Sequence, residues 1–154
     1  MIGVIVVTHG QLANELVNAA RTIVGELPQF VAVSIGWHDD PTVAREAVAA
    51  AIARVQGASG VLILTDMFGG TPSNIALTFL ADRRVELVTG VNLPMLIKFA
   101  NLRGERTNLR DVARNGLATA FDALERGWPA LFSPARPAVS VTVLGAGGVG
   151  KHAI

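Results

Sequence analysis

The sequence of 154 residues contains no cysteine. That excludes a disulfide framework and thiolate chemistry, and it fits a reducing compartment. Charge is also scarce: 16% of residues are Asp, Glu, Lys or Arg, and the formal net charge is +1. Such a balance gives no electrostatic reason to expect nucleic acid or an anionic membrane as partner. The opening "MIGVIVVTHG" carries neither a basic leader nor a small-residue cleavage site. No apolar run reaches the roughly eighteen residues that cross a bilayer. The expectation from these absences is a soluble, cytoplasmic chain with no direct membrane insertion.

What is present is a hydrophobic share of 51%, a globular composition in a chain long enough to bury one core. "IGVIVV" (2–7), "FVAVSI" (30–35), "GVLILT" (60–65) and "VELVTG" (85–90) read as strands. The first is a continuous β-branched run of the kind buried on both faces. Between them the period changes to that of a helix. Leu12, Leu16, Ala19, Ala20 and Ile23 share one face before Gly25, and Val43, Ala47, Val48, Ala51, Ile52 and Val55 share another after Asp40-Pro41. Thr71 as N-cap with Pro72 at the first position predicts a helix over 72–81. Further helices are expected over 92–100 and, capped near Thr107, over 109–126. Alternating strands and helices imply right-handed crossovers and an α/β fold. The expectation is a flavodoxin-like, doubly wound sheet of parallel strand order 2-1-3-4. Residues 1–127 form the domain, 128–138 a proline-rich linker, and 139–154 an additional edge strand (139–144) followed by a glycine-rich tail.

That tail, "GAGGVGKH", imitates two nucleotide-binding loops. Gly145, Gly147 and Gly150 satisfy G-x-G-x-x-G, and Gly145 to Lys151 satisfy a P-loop up to its last position. A phosphate loop works by leading from a strand into a helix N-terminus. Here only Lys151 to Ile154 follow, and His152 stands where a P-loop needs Ser or Thr. A strand with a glycine tail is the better reading.

Open parallel sheets place their sites beyond the carboxyl ends of the strands, where strand order reverses. In the order 2-1-3-4 that point lies between strands one and three. Thr8-His9-Gly10 and Asp66-Met67-Phe68-Gly69-Gly70-Thr71 therefore converge. A neutral imidazole is a nucleophile through one ring nitrogen, and a carboxylate on the other fixes tautomer and orientation. His9 and Asp66 are the candidate pair. Gly69, Gly70, Thr71 and Ser73 offer close backbone approach, helix N–H groups and hydroxyls to a phosphoryl group. His38, in the polar loop "GWHDD", is expected to serve a loop or cap while opening on the same sheet edge, and His152 is expected to be solvated. No third ligand accompanies His9 and Asp66, so no metal is expected. A receiver domain would need acidic residues after strand one, and a flavodoxin a hydroxyl-rich loop there; this chain has Thr-His-Gly.

"VIVVTHGQLANEL", "GVLILTDMFGGTPSN" and "VELVTGVNLPML" closely resemble the IIA component of the mannose family of the bacterial phosphoenolpyruvate-dependent sugar phosphotransferase system, over roughly residues 1–127. The resemblance implies a phosphoryl carrier without cofactor. His9 would take the phosphoryl group on Nε2 from phospho-HPr and pass it to a IIB component, with Asp66 holding Nδ1. It further implies Gly69-Gly70-Thr71-Pro72 as the phosphate cradle and a homodimer, in some members with an exchanged edge strand. Leu12, Phe68, Leu93, Pro94 and Met95 are the candidates for an apolar docking rim. Many members continue through an Ala/Pro-rich linker into a IIB domain, whereas no IIB domain is expected after "SPARPA" here. A regulatory role, in which the phosphorylation state controls a protein partner, uses the same two residues. The phosphotransfer subunit of dihydroxyacetone kinase is a more distant alternative.

Overall fold

The computed structural model describes residues 1–55, 59–104, 108–116, 118, 142–144 and 150–152. In chain order the elements are β1 (Gly3–His9), α1 (Leu12–Val24), β2 (Phe30–Ile35), α2 (Pro41–Val55), β3 (Val61–Thr65), α3 (Thr71–Leu77), β4 (Val85–Thr89) and α4 (Leu93–Leu102). A fifth helix, α5, occupies 109–116. Two short strands follow, β5 (Thr142–Leu144) and β6 (Gly150–His152). The sheet has the order β2-β1-β3-β4 and all its pairings are parallel.

β1 is central, and its period-two alternation divides the core. Val4 and Val6 face one way, joining Ala13, Val17 and Ala20 of α1 and Leu96 and Phe99 of α4. Ile5 and Val7 face the other way, joining Ala44, Val48 and Ala51 of α2 and Ile75 and Ala76 of α3. These β1 residues are fully buried, as a strand covered on both faces must be. The crossovers thus place α1 and α4 on one face and α2 and α3 on the other. That change of face occurs at the β1/β3 boundary, so a crevice opens beyond the carboxyl ends of those two strands.

The amino end of the sheet is closed. Ile2 N–H donates to the Arg103 carbonyl and Gly3 N–H to the Gly60 carbonyl. Gly3 lies against the end of α2, where an added Cβ would strike the Val55 carbonyl. The buried Arg103 guanidinium lies over the Phe30 ring at 4.5 Å and donates to the Pro28 carbonyl. Burial pulls its pKa below the ordinary arginine range.

Several expectations need correction. The buried stripe of α1 is Ala13, Val17, Ala20, with Val24 partly buried, leaving Leu12 and Ile23 exposed. On α2 it is Ala44, Val48, Ala51 and Val55, whereas Val43 is 60% exposed and Ala47 also faces out. In both helices the i, i+3, i+4 stripe through the small residues faces the sheet, because alanine lets a helix seat closely on it. α3 ends at Leu77, short of 81, and continues as turns in which Thr78 N–H donates to the Ile75 carbonyl. Its N-cap is Gly70, with Thr71 already inside the helix. α4 begins after Asn92, whose side chain accepts from Met95 N–H at 2.9 Å, and α5 after Asn108, whose side chain accepts from Arg110 N–H. Of the expected C-terminal edge strand, the described residues Thr142–Leu144 form β5, which pairs with β6 in a separate antiparallel ribbon and not with the four-stranded sheet. Gly150 to His152 are strand, while 145–149 and the linker 128–138 lie outside the described residues.

Candidate functional site

His9 is the last residue of β1, two positions beyond the end expected from the apolar run. Strand alternation sends Thr8 and His9 to opposite faces. Thr8 Oγ1 accepts from Ala13 N–H at 2.7 Å and ties the strand end to α1. His9 falls on the α2/α3 side, where β3 delivers Asp66. The loop after β1 is held to β2 by Gly10 N–H donating to the Ile35 carbonyl at 2.8 Å.

The Asp66 carboxylate is filled by three donors. Oδ2 accepts from His9 N–H at 2.9 Å and lies 2.7 Å from His9 Nδ1, and Oδ1 accepts from Met67 N–H at 2.9 Å. An ionised carboxylate only accepts, so Nδ1 carries the hydrogen, and in the neutral ring Nε2 keeps its lone pair. Because one oxygen holds both the backbone and the ring of His9, the imidazole is fixed in position as well as in tautomer. The pair is largely buried, with side chains 23% and 16% exposed. In that tautomer the Nε2 lone pair has a defined direction at the edge of the crevice.

Gly69 and Gly70 answer two different requirements. Gly69 has φ +84°, a left-handed conformation in which a side chain is strained. Gly70 leaves space: a Cβ there would lie 2.6 Å from His9 Cε1 and 3.2 Å from Nε2. The start of α3 thus passes directly beside the Nε2 edge of the ring. Thr71 is exposed at the first turn of α3. Ser73 is placed otherwise than expected: it is fully buried and its hydroxyl donates to the Gly70 carbonyl at 2.9 Å. Its proton is committed to the turn, so Ser73 shapes the loop from beneath.

The expected apolar rim divides. Leu12 is 46% and Phe68 63% exposed at this end of the sheet, Met67 beside Phe68 is 55% exposed, and Pro94 is exposed. Leu93 is partly buried against the α1/α4 core. Met95 is 1% exposed and belongs to that core, which removes it from any docking surface. Its N–H on the Asn92 cap fixes the helix so that its side chain turns inward.

One residue escaped the sequence reading. Trp37, after β2, stacks on the His9 ring with centroids 5.5 Å apart and planes 25° from parallel. The neighbouring His38 is exposed. A large aromatic in the otherwise polar "GWHDD", past the carboxyl end of a strand beside β1, was the available signal. Among the described residues, no three His, Asp or Glu side chains group so as to hold a metal ion. Nor is any described helix long and apolar enough to cross a membrane.

A doubly wound sheet with a carboxylate-oriented imidazole at its switch point, beside a glycine-led helix start, is the arrangement that imidazole group-transfer chemistry requires. Comparison with known proteins is more specific: the family model for the fructose IIA component of the sugar phosphotransferase system matches residues 3–116. The chain belongs to this fructose/mannose IIA family. It is 35% identical over 116 residues to the fructose-specific EIIA component of Bacillus subtilis, covering 75% of this chain and 79% of that one. It is 27% identical over 130 residues to the mannose-specific EIIAB component of Escherichia coli, covering 80% of this chain but only 39% of that longer protein. Among solved structures, the mannose/sorbose-specific IIA subunit of Enterococcus faecalis superposes with a TM-score of 0.65 at 29% identity, over 89% of this chain and 97% of that one. The family is one of phosphotransferase components that work with HPr and IIB components.

Proposed function

We propose that this chain is a phosphoryl carrier that accepts a phosphoryl group from phospho-HPr on His9 Nε2 and passes it to a IIB component for sugar uptake. The observation that carries this reading is the 2.7 Å contact between Asp66 Oδ2 and His9 Nδ1, which leaves Nε2 as the free nucleophile beside Gly70. In the transfer, the Nε2 lone pair attacks phosphorus in line. The N–P bond of the donor phosphohistidine breaks, and its nitrogen keeps the electron pair. His9 retains its Nδ1 hydrogen and becomes a phosphorylated imidazolium, whose charge Asp66 stabilises across the ring. Phosphoryl transfer asks for positioning and charge stabilisation more than covalent help. Backbone N–H groups of Gly69, Gly70 and Thr71, with the Thr71 hydroxyl, serve the phosphoryl oxygens. Leu12, Phe68, Leu93 and Pro94 border the face on which both protein partners dock.

The test is intact-mass spectrometry after mixing the protein with phosphoenolpyruvate, enzyme I and HPr, beside a sample given ATP alone. One acid-labile phosphoryl group is expected in the first sample only. It should be lost in His9→Ala and kept in His152→Ala. Equal labelling of His9→Ala, or labelling by ATP alone, would overturn the reading.

A further inference from the structure

Trp37 is 82% exposed, yet its position is built rather than incidental. It lies in a turn closed at both ends: Gly36 N–H donates to Asp39 Oδ2 at 2.6 Å, and Asp39 N–H donates back to the Gly36 carbonyl at 3.3 Å. The next residue, Asp40, accepts from Thr42 N–H at 2.7 Å and starts α2. Each carboxylate of "GWHDDP" thus has a backbone task, and together they present the indole over His9. A side chain so exposed gains little by burial. What it touches is the face of the one imidazole already oriented by Asp66.

We infer that Trp37 is a positioning residue that stabilises the phosphorylated form of His9 by stacking on its ring. The inference rests on His9 being the phosphoryl acceptor. With hydrogen on Nδ1 and phosphorus on Nε2 the ring is cationic, whereas the free ring is neutral. The indole face carries the negative part of its quadrupole and attracts a cation within about 6 Å of its centroid. The separation of 5.5 Å meets that condition. Asp66 acts in the plane of the ring and Trp37 acts through its face, so the two contributions do not compete for the same atoms. When the phosphoryl group leaves, the N–P electron pair returns to Nε2, the ring becomes neutral and the attraction is lost. Trp37 therefore lengthens the lifetime of the phosphorylated carrier.

The experiment uses Trp128→Phe as background, leaving Trp37 as the only indole of the two in the chain. Phosphoramidate serves as a small-molecule donor: its N–P bond breaks as one forms to His9, and ammonia departs. The phospho-protein is then followed by intact mass as it loses the group to water. Trp37→Ala should lose it about two- to five-fold faster. Trp37→Phe should fall between, and Trp37→Leu should behave as the alanine variant because it covers the ring without a π face. An unchanged lifetime in Trp37→Ala, or full rescue by leucine, would overturn the inference. Independently of any phosphorylation, His9→Ala should change the Trp37 emission intensity, and an unchanged emission would overturn the stacking itself. Failure of HPr to phosphorylate a chain that phosphoramidate labels on His9 would count against the proposed function while leaving the role of Trp37 standing.

Discussion

The two ends of the four-stranded sheet use the same residue types for opposite ends. At the amino end, Gly3 brings β1 against the last turn of α2 so closely that a Cβ would strike the Val55 carbonyl. Arg103 is buried there over Phe30. At the carboxyl end, Gly70 also removes a side chain, but the space goes to the His9 ring rather than to packing. Exposure follows the same division. Trp37, Phe68 and Leu12 remain exposed at the carboxyl end, and Trp37 lies against the His9 ring. One end is closed for stability; the other is held open with the His9 imidazole fixed.

Substitutions can break or sharpen this contrast. The largest expected effect is at Met95: alanine should cost about 2–5 kcal/mol in chemical denaturation, the penalty of a core cavity. Leu12→Ala should stay within about 0.5 kcal/mol of the parent. Equal effects would return Met95 to the rim. The two glycines come next. Gly3→Ala should destabilise by about 1–3 kcal/mol through overpacking, with transfer by the folded fraction unchanged. Gly70→Ala should do the reverse, slowing phosphorylation of His9 roughly ten- to a hundredfold by displacing the ring while the melting temperature moves little. If both lower stability alike and neither slows transfer, the two ends are not specialised. Asp66→Asn should slow transfer at least about tenfold with the fold retained, since an amide no longer dictates the Nδ1–H tautomer. A stopped-flow rate equal to the parent would remove that role. A smaller loss is expected at the α4 cap: Asn92→Ala should cost about 1 kcal/mol and leave transfer unchanged.

Much of this contrast was legible beforehand, though unevenly. His9 and Asp66 could be paired because strand order places the ends of β1 and β3 together, and that order follows from handed crossovers of short units. Phe30–Ile35 matched its apolar run residue for residue, since a β-branched stretch bounded by turn residues leaves little choice. The helices were found but rotated. Ile23 and Val43 lie on the apolar faces read from the sequence, whereas the sheet selected the alanine-bearing stripes of α1 and α2. Ser73 reads from the sequence as a hydroxyl donor to the phosphoryl group and Met95 as part of the docking rim, and both are buried. One position along a helix turns a side chain by about 100°, so nearness to a loop does not decide direction.

The sequence by itself determined the alternation of strand and helix, the parallel order of the sheet and the arrival of one histidine and one carboxylate at its switch point. These follow from backbone preference, hydrophobic period and chain handedness, which act over a few residues at a time. Tertiary structure alone decided that a single Asp66 oxygen holds both the backbone and the ring of His9, that Gly70 clears the imidazole and that Trp37 lies across its face. Those contacts join separate loops at a precision of tenths of an ångström. They depend on how twisted strands and packed helices deliver their ends, which no local pattern encodes.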